Sequence, residues 1–202
     1  MTDPSIDPRT AWRTELPVLM GSRVTLREPR SQDVASLSML FRAGEAGLFG
    51  VDEPLNDFSV LQYIERALAE RVAGRGFTYA VTLTTRRELV GLVQVRQLDL
   101  SFEAAEWTAL LAPEVRGTGV FLEVARLAGS VAFDAVGVHR LEARVLLHNG
   151  RANGALRKLG AVQEGLLRRA HRQEGRYFDQ VLWSILREDW DGHWPSATDR
   201  VH

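Results

Sequence analysis

Apolar positions recur with period two in some segments of the chain and every three to four residues in others, which separates strands from helices. The segment GSRVTLREP alternates and stops at Pro29, so it predicts a first strand. Two helices are predicted next, the second of which ends at Gly74. The face that this second helix is expected to bury comprises Leu61, Ile64, Leu68 and Val72.

Beta-branched residues dominate the centre of the chain, where FTYAVTLT and LVGLVQVRQL flank the polar turn TRRE and predict a hairpin. EAAEWTALLAP adds a strand that Pro113 closes. A long helix, a strand, a short helix ended by Gly160 and two strands joined by a loop complete the pattern. The order is strand, two helices, three strands, helix, strand, helix and two strands. It predicts an α+β domain with one mixed sheet.

With 202 residues, 45% of them hydrophobic, the chain has the size and composition of one globular domain. We expect that domain at residues 21–190, between a polar lead-in (1–20) and a polar tail (191–202). The opening segment lacks the basic start and apolar core of a signal peptide, and no apolar run approaches the length of a membrane span. The expected location is therefore the cytoplasm.

Charge and residue types narrow the chemistry. A net charge of −1 provides no overall field that would attract nucleic acid or a membrane. The absence of cysteine removes disulfides, thiolate nucleophiles and cysteine metal ligands, and the five histidines show no HExxH-type spacing, so no metal site is expected. A group transfer by this chain would be direct, without a cysteine-bound intermediate.

The stretch APEVRGTGVFLEVARL places two glycines behind Arg116 at the start of the predicted long helix. Glycines let the backbone approach a phosphate closely, and the free N–H groups and dipole of a helix start attract an anion. Arg116 adds a fork of donors and Thr118 a hydroxyl. Neither a Walker loop nor a GxGxxG motif is present, so the loop alone indicates either an anion site or a turn into a helix.

The motifs around this loop resemble the GNAT superfamily of acetyl-CoA-dependent acetyltransferases, whose pyrophosphate loop reads (Q/R)xxGx(G/A). AEWTALLAPEVRGTG is similar to AEIGYWLDPxxxGxG, and HNGRANGALRKLGA to NxxSxxxLEKLGF. EGLLRRAHRQEGRYFDQVLWSILREDW is similar to EGxLRxxxxxxGxxxDxxxYxxLxxEW. These motifs belong to the branch of RimJ-like and RimL-like ribosomal-protein N-terminal acetyltransferases, and the resemblance runs from about Arg23 to Trp190.

The resemblance implies the GNAT fold, a mixed and mostly antiparallel sheet of about seven strands flanked by about four helices and splayed between the fourth and fifth strands. It also implies acetyl-CoA as acyl donor. The pantetheine arm would pair with the free edge of the strand before the loop, and the same edge would place an N–H near the thioester oxygen. The implied cofactor contacts are Leu110, Leu111, Ala112, Arg116, Gly117, Thr118, Gly119, Val120, Phe121, Asn149 and Asn153.

Acetyl transfer requires a neutral amine, so a base that acts directly or through water is expected. Glu106 matches the glutamate of the family and shares one strand face with Thr108. A solvated strand glutamate is the alternative interpretation, and Glu103 is the second candidate for the base. Asn149, for its part, has the position of a helix N-cap, which does not exclude a contact with pantetheine.

Three residues depart from the family pattern. Phe121 stands where the loop motif has glycine or alanine, Ala152 where this branch often has serine, and Leu156 where other branches have a tyrosine that acts as general acid. No general acid is therefore assigned. A CoA-binding module with little catalysis is an alternative function that these departures leave open.

The expected acceptor is a primary amine, by resemblance a protein N-terminus and alternatively a small molecule such as an antibiotic or polyamine. A second copy of the chain is a further candidate partner. The family forms its acceptor wall in the region from Gly44 to Asp57, whose acids include Asp52 and Glu53. The segment RRAHRQEGR has the composition of a solvated hairpin tip, and alternatively of a contact for an acidic substrate, the 3′-phosphate of CoA or RNA.

Overall fold

A computed structural model of the protein describes residues 10–43, 46–51, 54–173 and 175–193. The strands in these residues are β1 (Leu19–Met20), β2 (Val24–Arg27), β3 (Gly76–Leu83), β4 (Leu89–Gln97), β5 (Ala104–Leu111), β6 (Arg140–Leu146), β7 (Val162–Gln173) and β8 (Arg176–Leu186). The helices are α1 (Ala11–Thr14), α2 (Val34–Arg42), α3 (Asp57–Val72), α4 (Val120–Ser130), α5 (Gly150–Lys158) and α6 (Arg187–His193). A π-helical segment, Val131–Val136, continues α4. None of the described helices is long and apolar enough to cross a membrane.

The strands form one sheet in the order β1-β2-β3-β4-β5-β6-β8-β7. All neighbours pair antiparallel except β5 and β6, which are parallel. Their pairing runs only from Ala104 and Arg140 to Glu106 and Glu142, after which the two strands separate. The predicted α+β fold, mixed sheet and splay between the fourth and fifth predicted strands are thus confirmed. The sequence pattern did not indicate the two-residue strand β1.

The two faces of the sheet differ in character. Cross-strand pairing places Arg96, Glu106 and Glu142 on one face, which we call the polar face. On the opposite face, Trp107 contacts Phe121 of α4. Helix α3 covers the polar face over β3 and α2 contacts β4, but the Arg96 side chain on β4 remains 61% exposed. The polar face is therefore open beside the separating strands.

The folded structure begins before the boundary predicted at residue 21. Trp12 of α1 and Leu16 are 3% and 4% exposed, and the Trp12 ring meets Phe77 and Phe102 edge to face. At the other end, the buried ring of Trp190 in α6 stacks on Phe133 at 5.2 Å. Residues 11–20, expected as a polar lead-in, therefore contribute to the core.

Helix α3 buries a face that includes Ile64 of the predicted one but is otherwise rotated from it. Leu68 and Val72 are 47% and 61% exposed, so the prediction that they are buried is wrong. The buried positions include Arg71, whose guanidinium binds the carboxylate of Glu28 and the carbonyl oxygen of Arg13. Because those partners satisfy its charge, the arginine takes an inward position that apolar periodicity assigns to leucine and valine.

Gly129 and Gly154 provide a matched test of helix packing. A Cβ on Gly129 of α4 would lie 2.8 Å and 2.9 Å from two ring carbons of Trp190, whereas a Cβ on Gly154 of α5 would meet nothing within 4 Å. Gly129→Ala is expected to lower the free energy of unfolding by about 1–2 kcal/mol, because overpacking outweighs the better helix propensity of alanine. Gly154→Ala should raise it by up to about 1 kcal/mol. Urea unfolding measures both, and equal effects would contradict the packing argument.

Candidate active site

The separation of β5 and β6 leaves a wedge that is closed at Glu106 and open toward Leu111. Backbone hydrogen bonds of β5 alternate between its two neighbours. Ala112 donates its N–H to the carbonyl oxygen of Val90 in β4 at 2.8 Å, whereas the carbonyl oxygen of Glu103 accepts from the N–H groups of His139 and Arg140 at the start of β6. Even-numbered residues of β5 therefore direct their backbone groups at β4, and odd-numbered residues direct theirs at the wedge.

This alternation revises the predicted cofactor edge. Leu110 and Ala112 direct their backbone groups at β4, so of the three predicted residues only Leu111 presents its backbone to the wedge. Ala109 does so as well and was not predicted. The alternation along β5 implied that only every second residue presents its backbone to the wedge. Whether these are the odd-numbered or the even-numbered residues depends on the pairing of β5 with β4, which the sequence pattern does not show.

Arg116 fastens the glycine loop to the end of β5. Its Nε donates to the carbonyl oxygen of Leu111 at 2.9 Å. Thr118 uses its hydroxyl within the loop, where it donates to the carbonyl of Val115 at 2.7 Å. Both predicted donors of the loop therefore stabilise the loop itself. The two Nη atoms of Arg116 make no hydrogen bond to any described residue.

The two loop glycines adopt left-handed backbone conformations that side chains disfavour, with φ of 82° at Gly117 and 88° at Gly119. A Cβ on Gly117 would point into open space, and a Cβ on Gly119 would lie 2.7 Å from Nη1 of Arg23. The same Nη1 donates to the carbonyl oxygen of Thr118. Arg23 is distant from the loop in sequence, so the sequence pattern did not associate it with the loop.

Phe121 fits the helix start because its ring turns away from the loop. The ring lies 5.9 Å from that of Trp107, in the layer between α4 and the sheet. Glu123, in the same first turn, accepts hydrogen bonds from the hydroxyl of Ser22 and, at 3.0 Å, from the N–H of Arg23. The amides of the α4 start are thus positioned by contacts on both sides, and the small cradle at Gly117 and Gly119 suits a phosphate group.

Glu106 lies at the closed end of the wedge, on the polar face, with its side chain only 7% exposed. Its Oε2 accepts two hydrogen bonds from Arg96, at 2.5 Å from Nη2 and 3.0 Å from Nε. Its Oε1 is 3.6 Å from Nε of Arg144, beyond hydrogen-bond distance. Oε2 is therefore occupied by Arg96, whereas Oε1 can still take up a proton or accept a hydrogen bond from a water.

The carboxylates of Glu142 and Glu164 lie beside Glu106 on the polar face. Arg140 donates from Nε to Glu142 at 2.9 Å and from Nη1 to Glu164 at 2.7 Å. The hydrogen bonds from Arg140, and then that from the Ser184 hydroxyl, lower the pKa of Glu164 to about 2. Glu142 and Glu164 thus share Arg140, and Glu106 binds Arg96 with Arg144 at 3.6 Å. Three carboxylates face three guanidinium groups, so the polar face near the wedge is close to neutral.

Asn149 and Asn153 of the α5 region have structural partners. The Asn149 side chain accepts from the N–H of Ala152 at 3.1 Å, so the helix N-cap interpretation is confirmed. Asn153 donates to the carbonyl of Leu146 at 3.0 Å and accepts from the indole N–H of Trp183 at 2.8 Å. Its amide therefore joins α5 to β6 and β8, and has little capacity left for a ligand.

The remaining candidates are dispersed. Glu103 is exposed and precedes the closed end of the wedge, on the side away from the loop. Within the expected acceptor wall from Gly44 to Asp57, Phe49 is buried in the core, Asp57 begins α3, and Asp52 and Glu53 lie outside the described residues. In the part of the chain that the structure describes, no group of three or more acidic or histidine side chains is arranged to hold a metal ion.

A glycine loop at a helix start lies next to two strands that part, with a carboxylate at their junction, and this arrangement suits a transferase with an extended, phosphate-bearing donor. Residues 23–162 match the family model described as acetyltransferase (GNAT) domain. The chain belongs to this family and is an acetyl-CoA-dependent N-acetyltransferase.

Relatives and structural neighbours agree with this assignment. An uncharacterized N-acetyltransferase of Bacillus subtilis, YoaA, is 27% identical, covering 85% of this chain and 97% of the relative. The spermidine N(1)-acetyltransferase of Vibrio cholerae is 26% identical over 83% and 95%. RimJ of Mycobacterium smegmatis, solved with a CoA disulfide, superposes with a TM-score of 0.72 at 24% identity, covering 86% of this chain and 84% of that one. The last similarity shows the shared fold.

Proposed function

We propose that this acetyltransferase modifies the α-amino group at a protein N-terminus. The motifs shared with the RimJ and RimL branch support this acceptor. The observation that carries the proposal is the arginine pairing of Glu106, Glu142 and Glu164 on the polar face. A polyamine is bound by carboxylates that are free to face several ammonium groups, whereas a chain end brings only one amine.

The geometry of the wedge supports an assignment of the donor and the base. Five residue steps separate Leu111 from Glu106, which is about 17 Å of extended strand. With its phosphates at the glycine loop, acetyl-CoA lays its pantetheine arm along Leu111 and Ala109 and brings the thioester to the closed end. There the N–H of Ala109 stabilises the oxyanion, because Ala109 directs its backbone at the wedge three residues beyond Glu106, past the last paired residues of β5 and β6.

In the reaction, the neutral amine nitrogen attacks the carbonyl carbon of the thioester and the carbon–sulfur bond breaks. The amine proton passes to Oε1 of Glu106, directly or through a water, while Arg96 holds Oε2 in place. The sulfur leaves as a thiolate, which needs no obligatory acid because the pKa of a thiol is about 8.5.

A small-molecule amine is the second candidate acceptor, and the similarity to spermidine acetyltransferase over most of both chains favours it. A CoA-binding module with little catalysis is the third, because Ala152 and Leu156 supply no general acid and Leu156 is buried in the core.

Three substrates separate these functions. They are a lysine-free peptide with a free N-terminus, the same peptide with a blocked N-terminus and one added lysine, and spermidine. We expect mass spectrometry to show acetylation at the α-amine of the first, with the highest kcat/KM of the three. A preference for spermidine would contradict the proposal. Thermal stabilisation by acetyl-CoA without turnover of any amine would instead support the binding module.

A further inference from the structure

The hairpin of β7 and β8 extends past the sheet at the open end of the wedge. β6 ends at Leu146, opposite Gln180 of β8, but β7 and β8 continue to pair as far as Gln173 and Arg176. Because β5 and β6 run parallel and separate toward their C-terminal ends, the projecting part of the hairpin lies beside the mouth of the wedge. An acceptor that approaches the closed end from the polar face passes this tip.

The tip carries a concentration of positive charge. Its sequence, RRAHRQEGR, contains four arginines and one glutamate. The side chains of these arginines are exposed, and none of the four guanidinium groups bonds to another residue that the structure describes. By contrast, Arg27, Arg71, Arg75, Arg96 and Arg140 all bind carboxylates.

The part of the tip that the structure describes has a defined geometry. Arg169 takes a φ of 51° within a bulge of β7, and the side chain of Asp179 fixes that bulge by accepting the Arg169 N–H at 2.8 Å. Beyond the bulge, Arg172 pairs across the hairpin with Tyr177, which is 60% exposed. Arg176 lies four residues before Gln180 on β8, and both side chains lie on the polar face of the sheet. Arginines therefore project on both sides of the hairpin.

We propose that the acceptor amine is carried by an acidic polypeptide segment, whose Asp and Glu side chains bind the arginines of this tip. The inference rests on the proposed function and adds the charge of the substrate to it. Unpaired guanidinium groups repel one another, and carboxylates that arrive with the acceptor relieve that repulsion. The nearby carboxylates Glu106, Glu142 and Glu164 are already paired, so the surroundings of the wedge favour an anionic acceptor over a cationic one.

The test compares three peptides of equal length with the same first residue, whose following residues are acidic, neutral or basic. With saturating acetyl-CoA, we expect the wild-type KM to be lowest for the acidic peptide and to rise with salt, because the attraction is screened. The double variant Arg172→Glu with Arg176→Glu should raise the KM of the acidic peptide at least about tenfold, with kcat and the KM of the neutral peptide changed less than about twofold.

A double variant at the opposite end of the sheet, Arg13→Glu with Arg30→Glu, makes the same change in net charge at two exposed arginines without a carboxylate partner among the described residues, and should leave all three KM values unchanged. Equal KM values for the three peptides in the wild type would overturn the inference and leave N-terminal acetylation intact. A tip variant that weakens acetyl-CoA binding would overturn it in favour of a CoA phosphate contact, and RNA binding lost in that variant in favour of RNA. Turnover of spermidine alone would instead defeat the proposed function itself.

Discussion

Glu106→Gln is expected to lower kcat for a peptide acceptor by about 10²- to 10⁴-fold, the contribution of a positioned base, while the affinity for acetyl-CoA stays the same. Glutamine retains the shape of the side chain but cannot take a proton. The fold should tolerate the change, because the arginines left without a carboxylate, Arg96 and Arg144, are 61% and 43% exposed and can be solvated. Circular dichroism and calorimetry with acetyl-CoA check these two conditions.

The pH profile distinguishes a base from a residue that only supports the site. A free α-amine has a pKa of about 8, so its neutral fraction grows about tenfold per pH unit below that value. In the Glu106→Gln variant the rate should follow this fraction, and its deficit relative to wild type should shrink as pH rises. A variant that matches the wild-type rate at every pH would remove Glu106 from the mechanism.

Glu142→Gln is the matched control. Glu142 lies directly opposite Glu106 on β6, on the same face, and its side chain is 15% exposed and held by Arg140. The substitution should change kcat less than about threefold, because the carboxylate of Glu142 is not assigned to proton transfer. A loss as large as that of Glu106→Gln would mean that the charge balance of the polar face, and not a single base, supports turnover.

The parts of the fold that follow from local pattern were predictable from the sequence. Period-two segments and turn residues located β2 to β8, and the glycines at 117 and 119 marked a loop that the structure shows in left-handed conformations. The splay of β5 and β6 was implied by the family resemblance, and their register confirms it. These features depend on residues that are close together in sequence or on a motif order that one chain displays.

The details that sequence reasoning did not supply depend on distant partners. Arg71 faces inward because Glu28 and the backbone of α1 meet it there. Asn153 had the position of a ligand contact, but the indole of Trp183 and the carbonyl of Leu146 take up its amide. Arg23 donates a hydrogen bond to the carbonyl oxygen of Thr118 in the glycine loop, 95 residues further along the chain. Hydrogen bonds between residues that are distant in sequence produce no periodic pattern along the chain, so residue spacing alone does not reveal them.

The second large effect is expected at Gly119. Gly119→Val should weaken acetyl-CoA binding at least about tenfold, since the left-handed φ of 88° costs a residue with a side chain about 1–2 kcal/mol and the new Cβ would meet Arg23. Relief of that strain rotates the backbone and turns the first amides of α4 away from the phosphates. Calorimetric titration with acetyl-CoA measures the loss.

Gly74→Val separates this effect from general strain. Gly74 follows α3, has a φ of 73°, and would place its Cβ 2.7 Å from the guanidinium carbon of Arg13, so the substitution creates nearly the same strain and the same kind of clash. Both variants should lose similar stability toward urea, because the strain is similar, but only Gly119→Val should lose affinity for acetyl-CoA. Equal affinities in the two variants would place the phosphates elsewhere, and the wedge would then lack the anchor that aligns the thioester with Glu106.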